Sequence, residues 1–181
     1  MGIISGFIPE KLIIGILTSR PDALAKVADD LVLDFGSIEY TSAILPFSFT
    51  SYYDREMGSP IYRRFVAFEK LVDPVILSSA KLRTNVIEAD YALGGNRTVN
   101  IDPGLLSLKR LILASTKDNG RRVPLQNGIY AEITLVYMDG DFHTLDWTYP
   151  DYKSNEYRDI FREIRNLYRL QLKQHRKKGG F

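Results

Sequence analysis

The amino-acid sequence predicts one α+β domain: a ferredoxin-like β-α-β-β-α-β unit, extended by an antiparallel four-stranded meander, with a C-terminal helix packed on the sheet. Three observations predict this class. Strand-like and helical apolar periods alternate through the first half, three turn dipeptides then follow in succession, and a long amphipathic segment closes the chain. The 181 residues contain no linker or internal repeat, which favours a single domain over 1–181.

The first elements follow from apolar periodicity and from the residues that start and stop helices. Pro21 suits a first helical turn, and Gly36 is the expected stop after a stripe of apolar residues at helical spacing. The predicted elements are the strand Lys11–Thr18, a helix between Pro21 and Gly36, the extended segment Ser37–Phe49, the polar loop Ser51–Pro60 and the strand Ile61–Val72.

A second helix is expected to begin at Asp73-Pro74, where Asp suits the N-cap and Pro the first turn. It should run to about Tyr91 and end before Gly94-Gly95. A short strand, Thr98–Ile101, is expected next, broken by the turn Asp102-Pro103-Gly104. The buried stripe of this helix is predicted to be Val75, Leu82, Val86 and Ala89.

The meander is predicted by Asn119-Gly120, Asn127-Gly128 and Asp139-Gly140, each the favoured centre of a two-residue type I′ turn. The expected strands are 109–118, 121–126, 129–138 and 141–148. Two-residue turns fix the register between neighbouring strands. One face then carries a row of Lys117, Arg122, Ile133 and Asp146, and the opposite face carries Thr116, Val123, Glu132 and Trp147. The final helix is expected from about Asn155, capped by Ser154.

Composition excludes several kinds of chemistry. The chain has no cysteine and two histidines, which rules out disulfides, thiolate nucleophiles and Cys-ligated metals and makes a multi-histidine zinc site implausible. Neither a P-loop nor a G-x-G-x-x-G motif is present. No signal peptide or membrane-spanning run is visible, so we expect a cytoplasmic protein with no membrane partner.

Positive charge is concentrated at the C-terminal end of the sequence. Seven basic residues lie between Arg162 and Lys178, against the single acidic Glu163. This basic face could contact nucleic acid, or it could be a solvated helix end. We expect 173–181 to form a disordered basic tail and 1–10 to form a separate N-terminal segment.

The predicted meander brings a cationic pair, Lys117 and Arg122, to face Asp146 at about 10 Å across Ile133. That gap could hold an anionic or polar ligand, and the alternative is a solvated sheet edge. Glu132 interrupts an apolar and aromatic strand beside Trp147, where burial would raise its pKa and suit it to act as acid or base. The alternative is an exposed Glu132 that pairs with Arg121.

Four further groups of residues could carry function. Lys81, Asn85 and Glu88 share one helix face, which could equally be solvated. Asp102 could belong to a metal or phosphate loop, or only form a turn. Trp147 and Tyr149 could stack on a ring, or form a hydrophobic corner. Arg63 and Arg64 could pair with Glu69 or clamp an anion.

Blocks of the sequence resemble a bacterial family known as domain of unknown function 4416. The resemblance covers nearly the whole chain, with the blocks in the same order, and it implies a stand-alone protein without an established activity or catalytic residues. Some members of that family are automatically labelled GTP-binding protein. The blocks are REMG (55–58), FEKLVDP (68–74), KLRTNVIE (81–88), NIDPG (100–104), LILASTKD (111–118), GIYAEITL (128–135) and WTYPDY (147–152).

The leading hypothesis is therefore a protein that binds a small anionic or nucleotide-like ligand. Lys117 and Arg122 would hold negative charge, with Lys81, Asn85 and Glu88 as further ligand contacts, and Trp147 and Tyr149 would stack on a ring. Glu132, Asp146 and Asp102 would act as general base or contact Mg²⁺. The alternatives are a nucleic-acid- or protein-binding module that uses the sheet and the basic C-terminal helix, and a scaffold without a ligand. The sequence leaves open whether the protein is an enzyme and what its oligomeric state is.

Overall fold

The structure, a computed structural model, describes residues 2–177. It is an α+β fold with a large antiparallel sheet and a long C-terminal helix, as predicted. The elements are β1 (Glu10–Thr18), α1 (Ala23–Phe35), β2 (Ile38–Thr41), β3 (Leu45–Phe47), α2 (Asp54–Met57), β4 (Ile61–Val72), α3 (Leu77–Asp90), β5 (Val99–Leu106), β6 (Arg110–Ser115), β7 (Val123–Pro124), β8 (Tyr130–Met138), β9 (Asp141–Thr144) and α4 (Asn155–Lys177), with short 3₁₀ turns at Pro74–Ile76 and Asp151–Lys153.

The nine strands form one sheet in the order β2-β4-β1-β5-β6-β8-β7, with β3 also paired to β4 and β9 also paired to β8. Every pairing is antiparallel. Helices α1 and α3 pack on one face and α4 packs on the other, each over its own apolar core. Helices therefore lie against both faces of the sheet.

The first strands and the first helix match the sequence predictions closely. Residues of β1 are buried along its whole length, which explains its nearly continuous apolar run. Helix α1 buries Leu24, Val27 and Leu31 against the sheet and ends at Gly36, whose φ of 90° favours glycine. Asp73 caps the next helical segment as expected, since its carboxylate accepts from the backbone N–H of Val75 at 3.0 Å.

The predicted buried stripe of α3 is wrong. Val75, Leu82, Val86 and Ala89 are exposed, and α3 instead buries Lys81, Thr84 and Glu88 together with Leu77, Ala80 and Ile87. The helix is rotated because Lys81 and Glu88 form hydrogen bonds with the backbone of β5. Satisfying the backbone groups of β5 stabilises the fold more than burying the three aliphatic side chains that this helix leaves exposed.

Strand β5 is also longer than predicted, because it continues through Asp102-Pro103-Gly104 instead of breaking there. Its pairing with β1 extends along its whole length, but its pairing with β6 stops at Gly104 and Leu113. Pro103 has no N–H to donate to β6, so the ladder ends at the proline. At Gly104 a β-carbon would lie 2.6 Å from the carbonyl oxygen of Ile112, so the two backbones approach closely at the last paired position.

The four-stranded meander in chain order is not formed. Asn127-Gly128 and Asp139-Gly140 form turns with positive φ at both residues, and Met138 opposes Asp141 as predicted. Asn119-Gly120, however, does not join two paired strands: β6 pairs directly with β8, and β7 lies on the other side of β8. The guanidinium of Arg122 donates to Ser115 Oγ and to the Lys117 carbonyl, which holds residues 115–122 as a loop.

Two register irregularities change which side chains meet. Leu125 N–H and Gln126 C=O both bond to Ile129, so the β7–β8 register is shifted by one residue from the prediction and Arg122 comes beside Glu132 instead of Ile133. In the β6–β8 ladder, Leu111 opposes Leu135 but Ile112 opposes Ile133, which leaves Thr134 as a bulge. The bulge places Glu132 and Leu135 on the same face, where a regular strand would separate them.

Helix α4 begins at Asn155 as predicted, and the hydroxyl of Ser154 accepts from the N–H of Tyr157 at 3.3 Å. Residues 173–177, expected to be disordered, are the last turns of this helix, and 178–181 lie outside the described residues. Glu10, assigned to the N-terminal segment, is the first residue of β1. Within residues 2–177, none of the helices combines the length and the apolar composition that a membrane-spanning segment needs.

Candidate ligand-binding site

Beyond Gly104 and Leu113, strands β5 and β6 diverge, and a cavity of about 760 Å³ lies at this fork. We call it the fork pocket. Its walls come from β3, β4, α3, β5, β6, β8 and the segment between β9 and α4. Helix α3 on one face and the segment that precedes α4 on the other therefore contribute side chains to one cavity.

Helix α3 closes one side of the fork by replacing the missing strand. Lys81 Nζ donates to the Ile101 carbonyl at 2.7 Å, and Glu88 Oε1 accepts from the Ile101 N–H at 2.7 Å. These two backbone groups point away from β1, toward the position a paired β6 would occupy. Lys81 and Glu88 also form an ion pair with each other at 3.3 Å. The two side chains thus satisfy the backbone at the point where the sheet opens.

Arg63 from β4 forms the floor of the fork pocket. Its guanidinium crosses over β1 at Gly15, where a β-carbon would lie 2.7 Å from Arg63 Nη1. This gap at Gly15 lets Arg63 reach two carboxylates, Asp151 at 3.1 Å and Asp102 at 3.7 Å. The side chain is 3% exposed, and within residues 2–177 its Nε and Nη1 atoms have no hydrogen-bond partner. The hydroxyl of Tyr152, also in the pocket wall, is buried and unpartnered in the same way.

Charges of alternating sign extend from this floor along β5. Lys81 lies 3.6 Å from Asp102, and Arg97 lies 3.7 Å from Glu88. Arg97 also pairs with Glu56 at 2.7 Å, and the amide of Asn100 bridges Arg97 and Asp102 through hydrogen bonds of 2.8 and 2.7 Å. The order along the chain of contacts is Asp151, Arg63, Asp102, Lys81, Glu88, Arg97 and Glu56.

Burial shifts the protonation of two carboxyl groups in this chain of charges. Desolvation raises the pKa of Glu88 above its ordinary value, although Lys81 and the Ile101 N–H oppose the shift. Desolvation also raises the pKa of Asp151, against the opposing effect of Arg63. Both acids therefore hold a proton more readily in the folded protein than in the unfolded chain.

A second wall is built around Arg122. Its Nε donates to Glu132 Oε2 at 2.8 Å, and both side chains are almost fully buried. Its Nη1 and Nη2 atoms donate to Ser115 Oγ at 2.7 Å and to the hydroxyl of Tyr149. Glu132 is thus not the exposed partner of Arg121, because the shifted β7–β8 register brings Arg122 to it.

Lys117 lies at the mouth of the pocket and is exposed. Its Nζ donates to the hydroxyl of Tyr52 at 2.9 Å and lies 4.7 Å from the centre of that ring. The hydrogen bond from Lys117 lowers the pKa of Tyr52. Among residues 2–177, no carboxylate forms an ion pair with Lys117, unlike the other four cations that line the pocket.

Aromatic side chains form much of the remaining wall. Tyr52, Phe49 and Tyr149 are 59, 39 and 42% exposed and surround the mouth, whereas Tyr152 and Phe47 are buried deeper. Burial raises the pKa of Tyr149 and of Tyr152, so these hydroxyls keep their protons. Rings at the mouth and charges at the floor make the pocket suited to a ligand with a flat part and a polar end.

Eight of the ten predicted site residues line the fork pocket: Lys81, Asn85, Glu88, Asp102, Lys117, Arg122, Glu132 and Tyr149. Asp146 and Trp147 are not part of it. The last strand ends at Thr144, and the Thr148 hydroxyl accepts from the Leu145 N–H, so the chain turns away from the predicted row. The indole N–H of Trp147 donates to the Ile133 carbonyl, and Arg121 lies over its ring.

Three wall residues that carry or bridge charge had no role of their own in the sequence predictions. Asn100 and Asp151 stand in the blocks NIDPG and WTYPDY but were not assigned a role, and Arg97 carries no sequence signal. Arg63 was proposed as an anion clamp or as the partner of Glu69. Glu69 is exposed, and Arg63 pairs with Asp102 and Asp151 instead.

The described residues contain no cluster of three or more acidic or imidazole side chains that could hold a metal ion. Of the pocket carboxylates, Asp102 is the most open to solvent, at 25% exposed. A contact between Mg²⁺ and Asp102 therefore stays a prediction, with the other ligands of the ion to come from the bound molecule or from water.

The basic residues of α4 are partly used within the fold. Arg162 pairs with Asp141, and Arg165 stacks on Tyr137 with 3.4 Å between the guanidinium carbon and the ring centre. Arg165 also donates to the Leu108 carbonyl. Nucleic-acid binding through this helix stays a prediction, and it would rely on the remaining basic side chains.

The fold and the pocket define an α+β protein with a charged cavity at a fork in its sheet. The chain belongs to the family described as domain of unknown function (DUF4416), whose model matches residues 8–168. No curated protein and no solved structure matches the chain.

Proposed function

We propose that the fork pocket binds a small organic anion, with an anionic group on Arg63 and a planar part against the aromatic mouth. The observation that carries this proposal is the state of Arg63. Its side chain is 3% exposed and lines the cavity, yet two of its donor atoms have no hydrogen-bond partner within the described residues. A buried unsatisfied donor costs about 1–3 kcal/mol, and an oxyanion would remove that cost.

The neighbouring groups support an oxyanion at this position. A carboxylate or phosphate oxygen is a strong acceptor for a guanidinium N–H donor. The buried hydroxyl of Tyr152 is a further unpartnered donor in the same wall. Asp151 accepts from Nη2 and Asp102 lies 3.7 Å from Nη1, so Nε is the guanidinium donor of Arg63 that neither carboxylate contacts, and it is left for the ligand.

The size and lining of the cavity favour a molecule larger than a bare ion. A volume of about 760 Å³ falls within the range of roughly 300–1,000 Å³ found for small-molecule sites. Rings at the mouth provide a surface on which a base or another planar group can stack. A nucleotide or a related phosphate therefore fits the proposal, with Lys81, Asn85, Arg122 and Tyr149 as wall contacts and Asp102 as the candidate general base or Mg²⁺ contact.

The test is a thermal-shift assay with GTP, ATP, other nucleotides, sugar phosphates and inorganic phosphate, each with and without Mg²⁺. A ligand at 100 times its Kd adds about 2.7 kcal/mol to the free energy of unfolding, so a true ligand raises the melting temperature visibly. We expect at least one anion to do so. A panel in which no anion stabilises the protein would contradict the proposal.

A matched pair of glycine variants localises any hit. Gly15→Ala displaces the Arg63 guanidinium, because the added β-carbon would lie 2.7 Å from Nη1 and 3.0 Å from Phe65 Cε1. Gly120→Ala adds the same methyl group in open space. We expect Gly15→Ala to weaken binding at least tenfold and Gly120→Ala to leave it unchanged. Equal affinity in both variants would place the ligand elsewhere.

The proposal extends to the topology of the first half. The order β2-β4-β1-β5, with α1 and α3 on one face, is the arrangement that a ferredoxin-like β-α-β-β-α-β unit would produce if β2 and β3 count as one interrupted strand. On this interpretation the pocket forms where that unit joins the strands that extend it.

A further inference from the structure

We propose that the ligand of the fork pocket carries two separate anionic groups, one held by Arg63 at the floor and the other by Lys117 at the mouth. This inference rests on the proposed function and deepens it, since it adds a second anchor and so specifies the class of ligand. The class is a bisphosphate, a dicarboxylate or a molecule with one group of each kind.

The balance of charges in the pocket wall supports a second anionic group at Lys117. Arg122 pairs with Glu132 at 2.8 Å, and Lys81 with Glu88 at 3.3 Å. Arg63 also pairs with carboxylates, and it is the floor anchor because its Nε donor has no partner within residues 2–177. Arg97 is neutralised by Glu56 at 2.7 Å. Within residues 2–177, Lys117 is the pocket cation that remains without a carboxylate, although it extends over the opening of the cavity.

The surroundings of Lys117 hold its ammonium group in place at the mouth. The Tyr52 hydroxyl and ring hold its ammonium group at the mouth and use one of its three N–H donors. The Arg122 guanidinium fixes the backbone on which Lys117 stands, through hydrogen bonds to the Lys117 carbonyl and to Ser115. An exposed lysine held in this way, with donors to spare, is prepared to contact a ligand that enters the pocket.

The separation of Arg63 and Lys117 favours two anionic groups over one. Arg63 reaches Asp102 on β5, whereas Lys117 follows the end of β6, the next strand of the sheet. Paired strands lie about 4.8 Å apart, and these two have already diverged, so the anionic groups should be roughly 5–10 Å apart. At the upper end of this range one phosphate does not reach both cations, but the two ends of a small bisphosphate do.

The experiment is isothermal titration with matched probe pairs. The pairs are adenosine 5′-monophosphate with adenosine 3′,5′-bisphosphate, ribose 5-phosphate with ribose 1,5-bisphosphate, and heptanoate with heptanedioate. We expect the doubly charged member of at least one pair to bind wild type at least tenfold more tightly than its partner. The pair that shows this advantage distinguishes a phosphate ligand from a carboxylate ligand.

Two variants test whether Lys117 causes the tighter binding of the doubly charged probe. Lys117→Met should reduce the affinity advantage of the doubly charged probe to twofold or less. The affinity for the singly charged probe should stay within twofold of wild type. Arg121→Met is the matched control, because it removes a neighbouring exposed cation that does not line the pocket. We expect this control to keep the full advantage.

Two results would overturn the inference and leave the proposed function intact: equal affinity for both members of every pair that binds, or an equal loss for both members in Lys117→Met. Wild-type protein that binds neither member of any pair would remove the proposed function and this inference together.

Discussion

Strands β5 and β6 meet in two different ways along their length, and the difference explains where the pocket is. From Gly104 to Leu106 they are paired, and Leu106, Leu111 and Leu113 belong to the apolar core beneath α4. From Ile101 toward the start of β5 the two strands are apart. There Lys81 and Glu88 of α3 form the hydrogen bonds with the Ile101 backbone that a paired β6 would otherwise form. The junction lies at Pro103, which cannot donate to β6.

This comparison shows how a sheet can open in its middle without leaving backbone groups unsatisfied. At the paired end the strands satisfy each other, and the side chains are free to be apolar. At the forked end two charged side chains satisfy one residue of the backbone, and their charges then need partners of their own. The chain of alternating charges from Asp151 to Glu56 follows from that requirement.

The largest effect is expected at the forked end, from Arg63→Met. This change leaves Asp151, which is 7% exposed, as a buried carboxylate without its cation. Removal of one partner from a buried ion pair costs about 3–5 kcal/mol, which urea unfolding at pH 7 would measure. Arg20→Met is the control, because its pair with Asp22 is exposed and should contribute about 0–1 kcal/mol. A loss below about 1 kcal/mol for Arg63→Met would mean that the floor of the pocket is not built as described.

The next effect is expected at the paired end, from Gly104→Ala. The added β-carbon would lie 2.6 Å from the Ile112 carbonyl oxygen and 2.8 Å from Leu113 Cδ2, and the backbone atom cannot move cheaply. Overpacking of this kind costs about 1–3 kcal/mol. The free energy of unfolding of Gly120→Ala, where the methyl group meets open space, should stay within about 0.5 kcal/mol of wild type. Equal stability of the two variants would show that the strands are not in close contact at the junction.

A smaller effect is expected from Glu88→Gln, and it depends on pH. Burial raises the pKa of Glu88 above its ordinary value of 4.5, so the folded wild type binds a proton that the unfolded chain has already released. Wild type therefore loses stability relative to the Gln variant as pH rises from about 4.5 through the raised pKa, by about 1.4 kcal/mol for each unit of pKa difference. Unfolding of both proteins between pH 4 and pH 8 measures this. If wild type instead gains stability relative to Glu88→Gln as pH rises, the burial of this carboxyl group is contradicted.

The smallest effect on stability is expected from Lys117→Met at the mouth. Lys117 is exposed, and within residues 2–177 its hydrogen bonds are to Tyr52 and its own loop, so the free energy of unfolding should change by less than about 0.5 kcal/mol. Urea unfolding alongside Arg63→Met would therefore separate the mouth from the floor of the same pocket. A loss of several kcal/mol would mean that Lys117 supports the fold, and its assignment as a ligand contact would then fail.

Apolar periodicity located the regular elements well because their burial decides their conformation. The strand Ile61–Val72 and the start of α4 at Asn155 agree with the structure to the residue. Periodicity was misleading for α3, where the predicted apolar stripe is exposed and the buried face combines apolar residues with Lys81, Thr84 and Glu88. The reason is the fork itself, since a helix that replaces a strand must turn its donors and acceptors toward the sheet.

The candidate site was predicted in its residues better than in its geometry. Lys81 and Glu88 were found from their helical spacing, which is also why they lie together. Arg122 and Glu132 were placed on opposite faces, and the one-residue shift of the β7–β8 register brings them into contact. Arg63 and Asp151 are 88 positions apart in the sequence, and no local pattern signals a contact of that kind.

The most direct test of an anion on Arg63 is an NMR titration of the arginine Nε–Hε signals with inorganic phosphate. The signal of Arg63 should shift and saturate, because its Nε donor has no partner in the described residues until an oxyanion reaches it. The signal of Arg20, which lies in an exposed pair, should shift only weakly and without saturation. An Arg63 signal that stays unchanged while phosphate binds elsewhere would contradict the account.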